Sequence, residues 1–151
     1  MKDALPQTIY LKDYKVSPFE IEKTELVFDL DEHHSRVTTT LFLLRNSLSD
    51  ELGADLVLHG SEGLDLQSVS VDGLTLEEDA YSFDSESLTI PGLAERAVVT
   101  TQVLIKPQDN TTMMGLYRSR NMYCTQCEAE GFRDITYYLD RPDVMSEFIT
   151  K

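Results

Sequence analysis

The sequence predicts an all-β domain, a sandwich or saddle of mostly antiparallel strands, on three observations. Short segments in which apolar and polar residues alternate recur along the chain, and turn-forming residues separate them. One of these segments, residues 37–45, is rich in β-branched side chains that favour strands. Asp72-Gly73 is a dipeptide preferred in tight hairpins, because both positions tolerate a positive φ. Strands at such short intervals are typical of packed antiparallel sheets.

The elements follow in chain order from this alternation. Residues 1–18 are polar and are interrupted by Pro6 and Pro18, which predicts an extended N-terminal arm lying on the domain. Residues 19–151 are predicted to form a single β domain. Its predicted strands are 19–30, 37–45, 56–58, 64–71, 74–76, 81–83, 87–90 and 97–105. The last of these has apolar residues on both faces, which predicts a central position in a sheet.

Residues 140–143, with the sequence D-R-P-D, predict the start of a short C-terminal helix. Asp140 is a candidate N-cap, and Pro142 suits the first turn, where its missing N–H has no partner to lose. The apolar face of this helix would consist of Val144, Met145 and Phe148.

Composition limits the partners and the compartment. The 151 residues contain 13 Lys and Arg against 27 Asp and Glu, a formal net charge of -14, so phosphate backbones and anionic lipid surfaces would be repelled. We therefore expect no nucleic acid and no membrane partner. The sequence has no apolar run of membrane-spanning length and no signal-peptide core, and two cysteines do not make a disulfide framework. These features predict a cytoplasmic protein.

The chemically richest stretch is residues 124–133, C-T-Q-C-E-A-E-G-F-R. Its C-x-x-C could be half of a zinc site, a redox pair, or two buried free thiols. We expect buried free thiols, because there is no second C-x-x-C and the stretch does not begin a helix. H-E-x-x-H, the helical pair that binds catalytic zinc, is absent, so no metal site is expected in this chain.

This stretch, with I-T-Y-Y-L-D-R-P-D-V at residues 135–144 and G-L-Y-R-S at 115–119, resembles the end of the N-terminal domain of bacterial aminopeptidases of the aminopeptidase N family. Members of that family are zinc metallo-aminopeptidases that remove N-terminal amino acids from peptides. The resemblance implies an N-terminal domain that caps the active site and is cut off before the catalytic domain, which supplies the zinc. The 151-residue chain alone would then be inactive, because it lacks both H-E-x-x-H and G-A-M-E-N.

The resemblance also implies a binding role for Glu128 and Gln126. In the family, the glutamate of this motif and the glutamine two residues before it bind the free α-amine of the peptide substrate. Residues two apart on an extended segment lie on the same face, so both side chains could converge on one amine. The residues alone allow another interpretation, in which Gln126 and Glu128 form an exposed strand face or pair with Arg133. Glu130 is expected to be structural, paired with Arg133 or Arg141.

A second hypothesis for the whole chain is a free-standing β-sandwich that acts as a binding or scaffold module without catalysis. The acidic composition and the lack of a metal site would be ordinary for such a module.

Overall fold

The computed structural model describes residues 10–51 and 53–151, and the all-β prediction is confirmed. The strands are β1 (Phe19–Asp29), β2 (Ser35–Arg45), β3 (Leu56–His59), β4 (Asp65–Val71), β5 (Leu74–Thr75), β6 (Ser82–Phe83), β7 (Ser87–Ile90), β8 (Arg96–Ile105), β9 (Gly115–Ser119), β10 (Met122–Gln126) and β11 (Glu147–Thr150). Two short 3-10 turns, Leu11–Asp13 and Phe132–Asp134, complete the described elements. Among the described residues, no helix has the length and apolar character needed to cross a bilayer.

The strands form three sheets. The largest has the order β11-β1-β2-β8-β4-β5, the second has the order β3-β7-β6, and β9 pairs with β10 in a hairpin. Every pairing is antiparallel except the one between β1 and β11. β8 pairs with β2 on one side and β4 on the other, which confirms its predicted central position.

The predicted hairpin turn at Asp72-Gly73 is confirmed. Asp72 has φ 51° and Gly73 has φ 81°, so both residues adopt the left-handed conformation that such a turn requires. The Asp72 carboxylate also accepts a hydrogen bond from the Val98 N–H at 2.8 Å, which fastens the turn to β8.

One hydrophobic core joins the two larger sheets. Side chains at alternate positions of β2 and β8 are fully buried, as the period of a strand with one buried face requires. The second sheet buries its own alternate positions in the same cluster. The core members from β2, β3, β7 and β8 are Val37, Leu41, Leu43, Leu56, Leu58, Leu88, Ile90, Ala97, Val99, Val103 and Ile105.

Only part of the predicted N-terminal arm can be compared with the structure, because residues 1–9 lie outside the described residues. The described part of the arm lies against the turn at residues 142–143. Tyr14 donates its hydroxyl to Asp143 at 2.8 Å, and Arg141 donates to the Lys15 carbonyl at 2.7 Å.

The predicted C-terminal helix is wrong. Residues 142–143 form a turn, and the chain then enters β11. Asp140 is no N-cap, since its carboxylate accepts hydrogen bonds from the backbone N–H and the Nε–H of Arg133. Met145, expected on the apolar face, is 82% exposed.

The edge of β1 explains why this segment is a strand. A helix of about two turns is marginal on its own, because few hydrogen bonds offset the cost of nucleation. The open edge offers better partners: Lys151 donates to the Leu26 carbonyl and accepts from the Phe28 N–H, both at 2.9 Å. Phe148 on β11 also packs against Phe132, with ring centroids 5.8 Å apart. Tertiary pairing therefore overrides the local helix-start signal.

We expect Gly60→Ala to destabilise the domain by about 1–3 kcal/mol, because overpacking a rigid core forces neighbouring atoms to shift. A Cβ at residue 60 would lie 2.7 Å from Cδ1 of Tyr137, and Tyr137 is 1% exposed and cannot move aside. Urea denaturation monitored by circular dichroism measures the free energy of unfolding.

Gly63→Ala is the matched control. It lies three residues further along the chain, and a Cβ there would meet only the Ser61 Oγ, at 3.9 Å. The control should unfold at the same urea concentration as the parent protein, and equal losses in both variants would contradict the close packing at Gly60.

Candidate functional site

The two predicted binding residues lie at the end of the β9–β10 hairpin. Gln126 is the last residue of β10 and is exposed. The chain then leaves the strand, so Glu128 lies in a turn and not on the predicted extended segment. The structure nevertheless brings the two together, because the Gln126 Nε2 donates to the Glu128 carbonyl at 3.3 Å. Both side chains face solvent in this domain.

We call residues 127–134 the signature loop. Gly131 allows its tight closure: the Gly131 N–H donates to the Cys127 carbonyl at 2.9 Å. A Cβ at residue 131 would lie 2.7 Å from the Met114 Cε and 3.0 Å from the Cys127 Cα. Gly115 has φ 70°, and a Cβ there would lie 2.6 Å from the Cβ of Asp134. A side chain at Gly131 would disturb the closure of the signature loop, and one at Gly115 would collide with Asp134 at its end.

Arg133 attaches the signature loop to the body of the domain. Its Nε donates to Oδ2 of Asp140 at 2.8 Å, and its Nη2 donates to the Asp140 carbonyl at 3.0 Å. The Arg133 backbone N–H donates to the same Oδ2 at 3.2 Å. Asp140 is 8% exposed, so this ion pair lies largely out of water. We call this arrangement the Arg133–Asp140 anchor.

Glu130 extends the anchor toward solvent. Its Oε2 accepts from the Nη2 of Arg133 at 3.2 Å, which confirms the predicted pairing with Arg133. The Glu130 side chain is 60% exposed, so solvent screens this second contact far more than the contact with Asp140.

His59 completes the anchor from the other side. It ends β3 and exchanges two backbone hydrogen bonds with Tyr138, at 2.8 and 3.0 Å. Its Nδ1 accepts the backbone N–H of Asp140 at 3.1 Å, so this nitrogen is unprotonated. Burial and the positive charge of Arg133 hold the pKa of His59 below its usual value, against the raising effect of the Asp140 and Glu130 carboxylates.

Two of the three aromatic residues near the signature loop belong to the core. Tyr137 is 1% exposed and Tyr138 is 5% exposed. Phe132 is half-buried and meets Tyr138 edge to face, with ring centroids 4.7 Å apart. The contact between Phe132 and Tyr138 therefore joins the signature loop to the core.

Cys124 and Cys127 are free thiols, but both are half-buried and not fully buried as expected. Burial raises the pKa of the Cys127 thiol, and the carboxylates of Asp140 and Asp134 raise it further. Across residues 10–51 and 53–151, no group of three or more His, Cys, Asp or Glu side chains is arranged to hold a metal ion.

The anchor was missed by sequence reasoning. His59 and Asp140 are 81 residues apart, so no spacing pattern links them. The sequence pattern predicts that Asp140 caps a helix, and it does not predict the contact of Arg133 with this carboxylate. The available signal was the pair of opposite charges within the motif stretch, at Arg133 and Asp140.

The chain belongs to the Peptidase M1 N-terminal domain family, which it matches over residues 24–151.

Relatives agree with this assignment. Aminopeptidase N of Caulobacter vibrioides is 47% identical over 148 residues, which cover 98% of this chain and 17% of that protein. The crystal structure of Legionella pneumophila aminopeptidase A in complex with aspartic acid is 27% identical, with a TM-score of 0.84 over 93% of this chain and 16% of that chain. A mutant M1 zinc metallopeptidase from Deinococcus radiodurans, bound to a Tyr-Ser-Ala substrate, shares the fold at 13% identity, with a TM-score of 0.70 over 88% of this chain and 32% of that chain. This chain thus spans 17% of the length of the Caulobacter relative.

In a Cys124→Ser chain, we expect the remaining Cys127 thiol to react with a disulfide reagent at a raised pH midpoint while the protein is folded. The thiolate is the reacting form, and a raised pKa of Cys127 leaves less of it at a given pH. In urea the midpoint should fall to that of an ordinary cysteine. The rate of reagent reduction, followed by absorbance from pH 7 to 10, measures both midpoints.

Restricted access would slow the reaction at every pH without moving the midpoint, so the pH profile separates the two effects. The parent chain, unfolded without reductant, should titrate two thiols. Identical midpoints in the folded and unfolded states would contradict the effect of burial and of the two carboxylates.

Proposed function

We propose that this chain is the N-terminal domain of a zinc aminopeptidase that removes N-terminal amino acids from peptides. In this proposal Glu128 and Gln126 form part of the site that binds the α-ammonium of the substrate, and the domain caps the active site. The observation that supports it best is the exposed pair at the end of β10, held together by the hydrogen bond from Gln126 to the Glu128 carbonyl.

The orientation of Gln126 suits an ammonium ligand. Its Nε2 is engaged with the Glu128 carbonyl, which leaves its Oε1 as an acceptor. An α-ammonium has N–H donors only, so it can donate one hydrogen bond to this oxygen and another to the Glu128 carboxylate. The second bond is charge-assisted and therefore the stronger of the two.

The remaining chemistry belongs to a catalytic domain in the full-length protein. That domain would bind the zinc and would cover Glu128, which removes water from the carboxylate and strengthens its attraction for an ammonium ion. Zinc in such a site polarises the scissile carbonyl and activates a water molecule. The Deinococcus protein of the same fold is a zinc metallopeptidase, which supports this assignment.

The proposal has three further parts, on domain organisation, compartment and partners. Residues 19–151 form a single β domain, and the catalytic domain follows that unit in the full-length protein. The full-length enzyme works in the cytoplasm, which is supported by the two free thiols. Its partners are peptides with a free N-terminus, and the net charge of -14 disfavours nucleic acid and anionic membranes.

Glu128→Gln in the full-length enzyme should lower kcat/KM about a hundredfold or more, because it removes the charge that an α-ammonium requires while it preserves the side-chain shape. Gln126→Ala should lower kcat/KM less, since a neutral amide contributes a weaker hydrogen bond. Hydrolysis of an aminoacyl-anilide gives the kinetic constants, and thermal melting on the same preparations should show no change, because neither side chain belongs to the hydrophobic core.

Glu77→Gln is the matched control, an exposed glutamate in the turn after β5. It should retain parent kinetics. If Glu128→Gln behaves like this control, Glu128 is not part of the site; if it melts much earlier than the parent, its role is structural.

The isolated 151-residue chain should cleave no aminoacyl-anilide and should retain no stoichiometric zinc after dialysis. The reason is the missing H-E-x-x-H helix, which would supply ligands and general base. Metal analysis by mass spectrometry, alongside the anilide assay, checks both expectations. One tightly bound zinc per chain would contradict them.

A further inference from the structure

The signature loop has few connections to the body of the domain. Glu128, Ala129 and Glu130 are all exposed. Two backbone hydrogen bonds close the loop on itself, from Gly131 to Cys127 and from Asp134 to Gly131. Besides the 3.3 Å hydrogen bond from Gln126 to the Glu128 carbonyl, the side-chain contacts that fasten the loop are the hydrogen bonds of Arg133 with Asp140.

We propose that Arg133, held by Asp140, is the positioning residue for Glu128, and that neutral His59 completes this anchor by accepting the Asp140 N–H. The inference rests on the function proposed above for Glu128. Arg133 and His59 act through the loop and do not touch the substrate.

Arginine is required at this position by geometry. Its Nε and Nη2 contact two different oxygens of Asp140, the carboxylate Oδ2 and the backbone carbonyl, at 2.8 and 3.0 Å. The planar guanidinium fixes both directions at once, whereas a lysine ammonium is a single point with no such fork. A loop attached through a lysine would keep the charge pairing but lose its fixed orientation.

His59 must be neutral for the anchor to be complete. Its Nδ1 accepts the Asp140 N–H at 3.1 Å, and a protonated Nδ1 would be a donor facing another donor. The charged groups that act on His59 are Arg133, Asp140 and Glu130. The residue opposite it on β7 is the uncharged Ser87, and its other partner is the Tyr138 backbone.

The anchor is therefore sensitive to acid. The pKa of His59 in the anchored loop lies below its usual value of 6.5, so the anchored state binds fewer protons than a released one. By linkage, lowering the pH below 6.5 favours release of the loop, and raising it favours the anchored state. Release would displace Glu128 from the bound α-ammonium, so KM should rise as the pH falls.

The test uses five variants of the full-length enzyme: Arg133→Lys, His59→Asn, His59→Ala, Glu128→Gln and His33→Asn. Kinetics with an aminoacyl-anilide from pH 5 to 8 give kcat and KM separately. Hydrogen exchange, read by mass spectrometry on the peptide that contains residues 127–134, reports the order of the loop. His33 is an exposed histidine in the turn before β2, so His33→Asn is the control for loss of a histidine.

Arg133→Lys should raise KM about tenfold at pH 7.5 with little change in kcat, because a small misplacement weakens binding, and it should speed exchange in the loop. In the parent enzyme and in His33→Asn, KM should rise below pH 6.5. In His59→Asn this rise should disappear, since the Asn Oδ1 can accept the Asp140 N–H and has no proton to gain. His59→Ala removes the acceptor and should show the high KM at every pH.

The outcomes separate the two proposals. If Glu128→Gln lowers kcat/KM while Arg133→Lys and His59→Ala leave KM and loop exchange unchanged, the positioning role is wrong and the proposed function stands. If Glu128→Gln retains parent kinetics, the proposed function itself is wrong. If His59→Asn keeps the rise in KM below pH 6.5, His59 is not the acid-sensitive group.

Discussion

The position of the signature loop depends on one buried carboxylate, that of Asp140, which needs partners inside the domain. Asp140 is 8% exposed, and a carboxylate out of water requires hydrogen-bonding partners. Arg133 supplies the opposite charge and two side-chain hydrogen bonds, and His59 accepts the N–H of the same residue. These contacts turn the Arg133 side chain inward. The preceding residues, Glu128 among them, consequently form a loop that projects into solvent.

Asp140, which holds the loop, is buried, whereas Gln126 and Glu128, which are proposed to bind substrate, are exposed. Removing one partner of a buried ion pair costs roughly 3–5 kcal/mol, because the other charge remains without compensation. Substitution of an exposed side chain such as Glu128 usually changes stability by less than about 0.5 kcal/mol. The binding residues can therefore be altered without loss of the fold. Because the fold is retained, a change in the kinetics of these variants can be assigned to substrate binding.

The sequence predicted the local features of the fold and missed the long-range ones. Alternation located every strand of the two larger sheets except β11 to within about two residues, and Asp72-Gly73 located a hairpin from two adjacent residues. The helix expected at residue 140 failed because the open edge of β1 and the Arg133 side chain compete for the same residues. At the candidate site, the resemblance in the motif predicted Gln126 and Glu128 as binding residues. Spacing placed them on one extended strand, whereas β10 ends at Gln126.

The contact between His59 and Asp140 shows why the rest could not be predicted. It joins the end of β3 to a residue 81 positions later, and it exists only because His59 and Tyr138 exchange backbone hydrogen bonds. No periodicity or local motif contains such a relation. Its chemistry can be inferred only once the fold has brought the two residues together.

Aromatic packing connects the signature loop to the last strand of the domain. Phe148 on β11 contacts both Phe132 and Tyr138, with ring centroids 5.8 and 6.0 Å apart. Thr24 on β1 lies 3.4 Å from the Tyr138 hydroxyl and 2.8 Å from the hydroxyl of Ser146, just before β11. Phe132 directly precedes the arginine of the anchor, so a shift of β11 against β1 would change the packing beneath that arginine. The position of the loop therefore depends on the parallel pairing of β1 with β11 as well as on the ion pair.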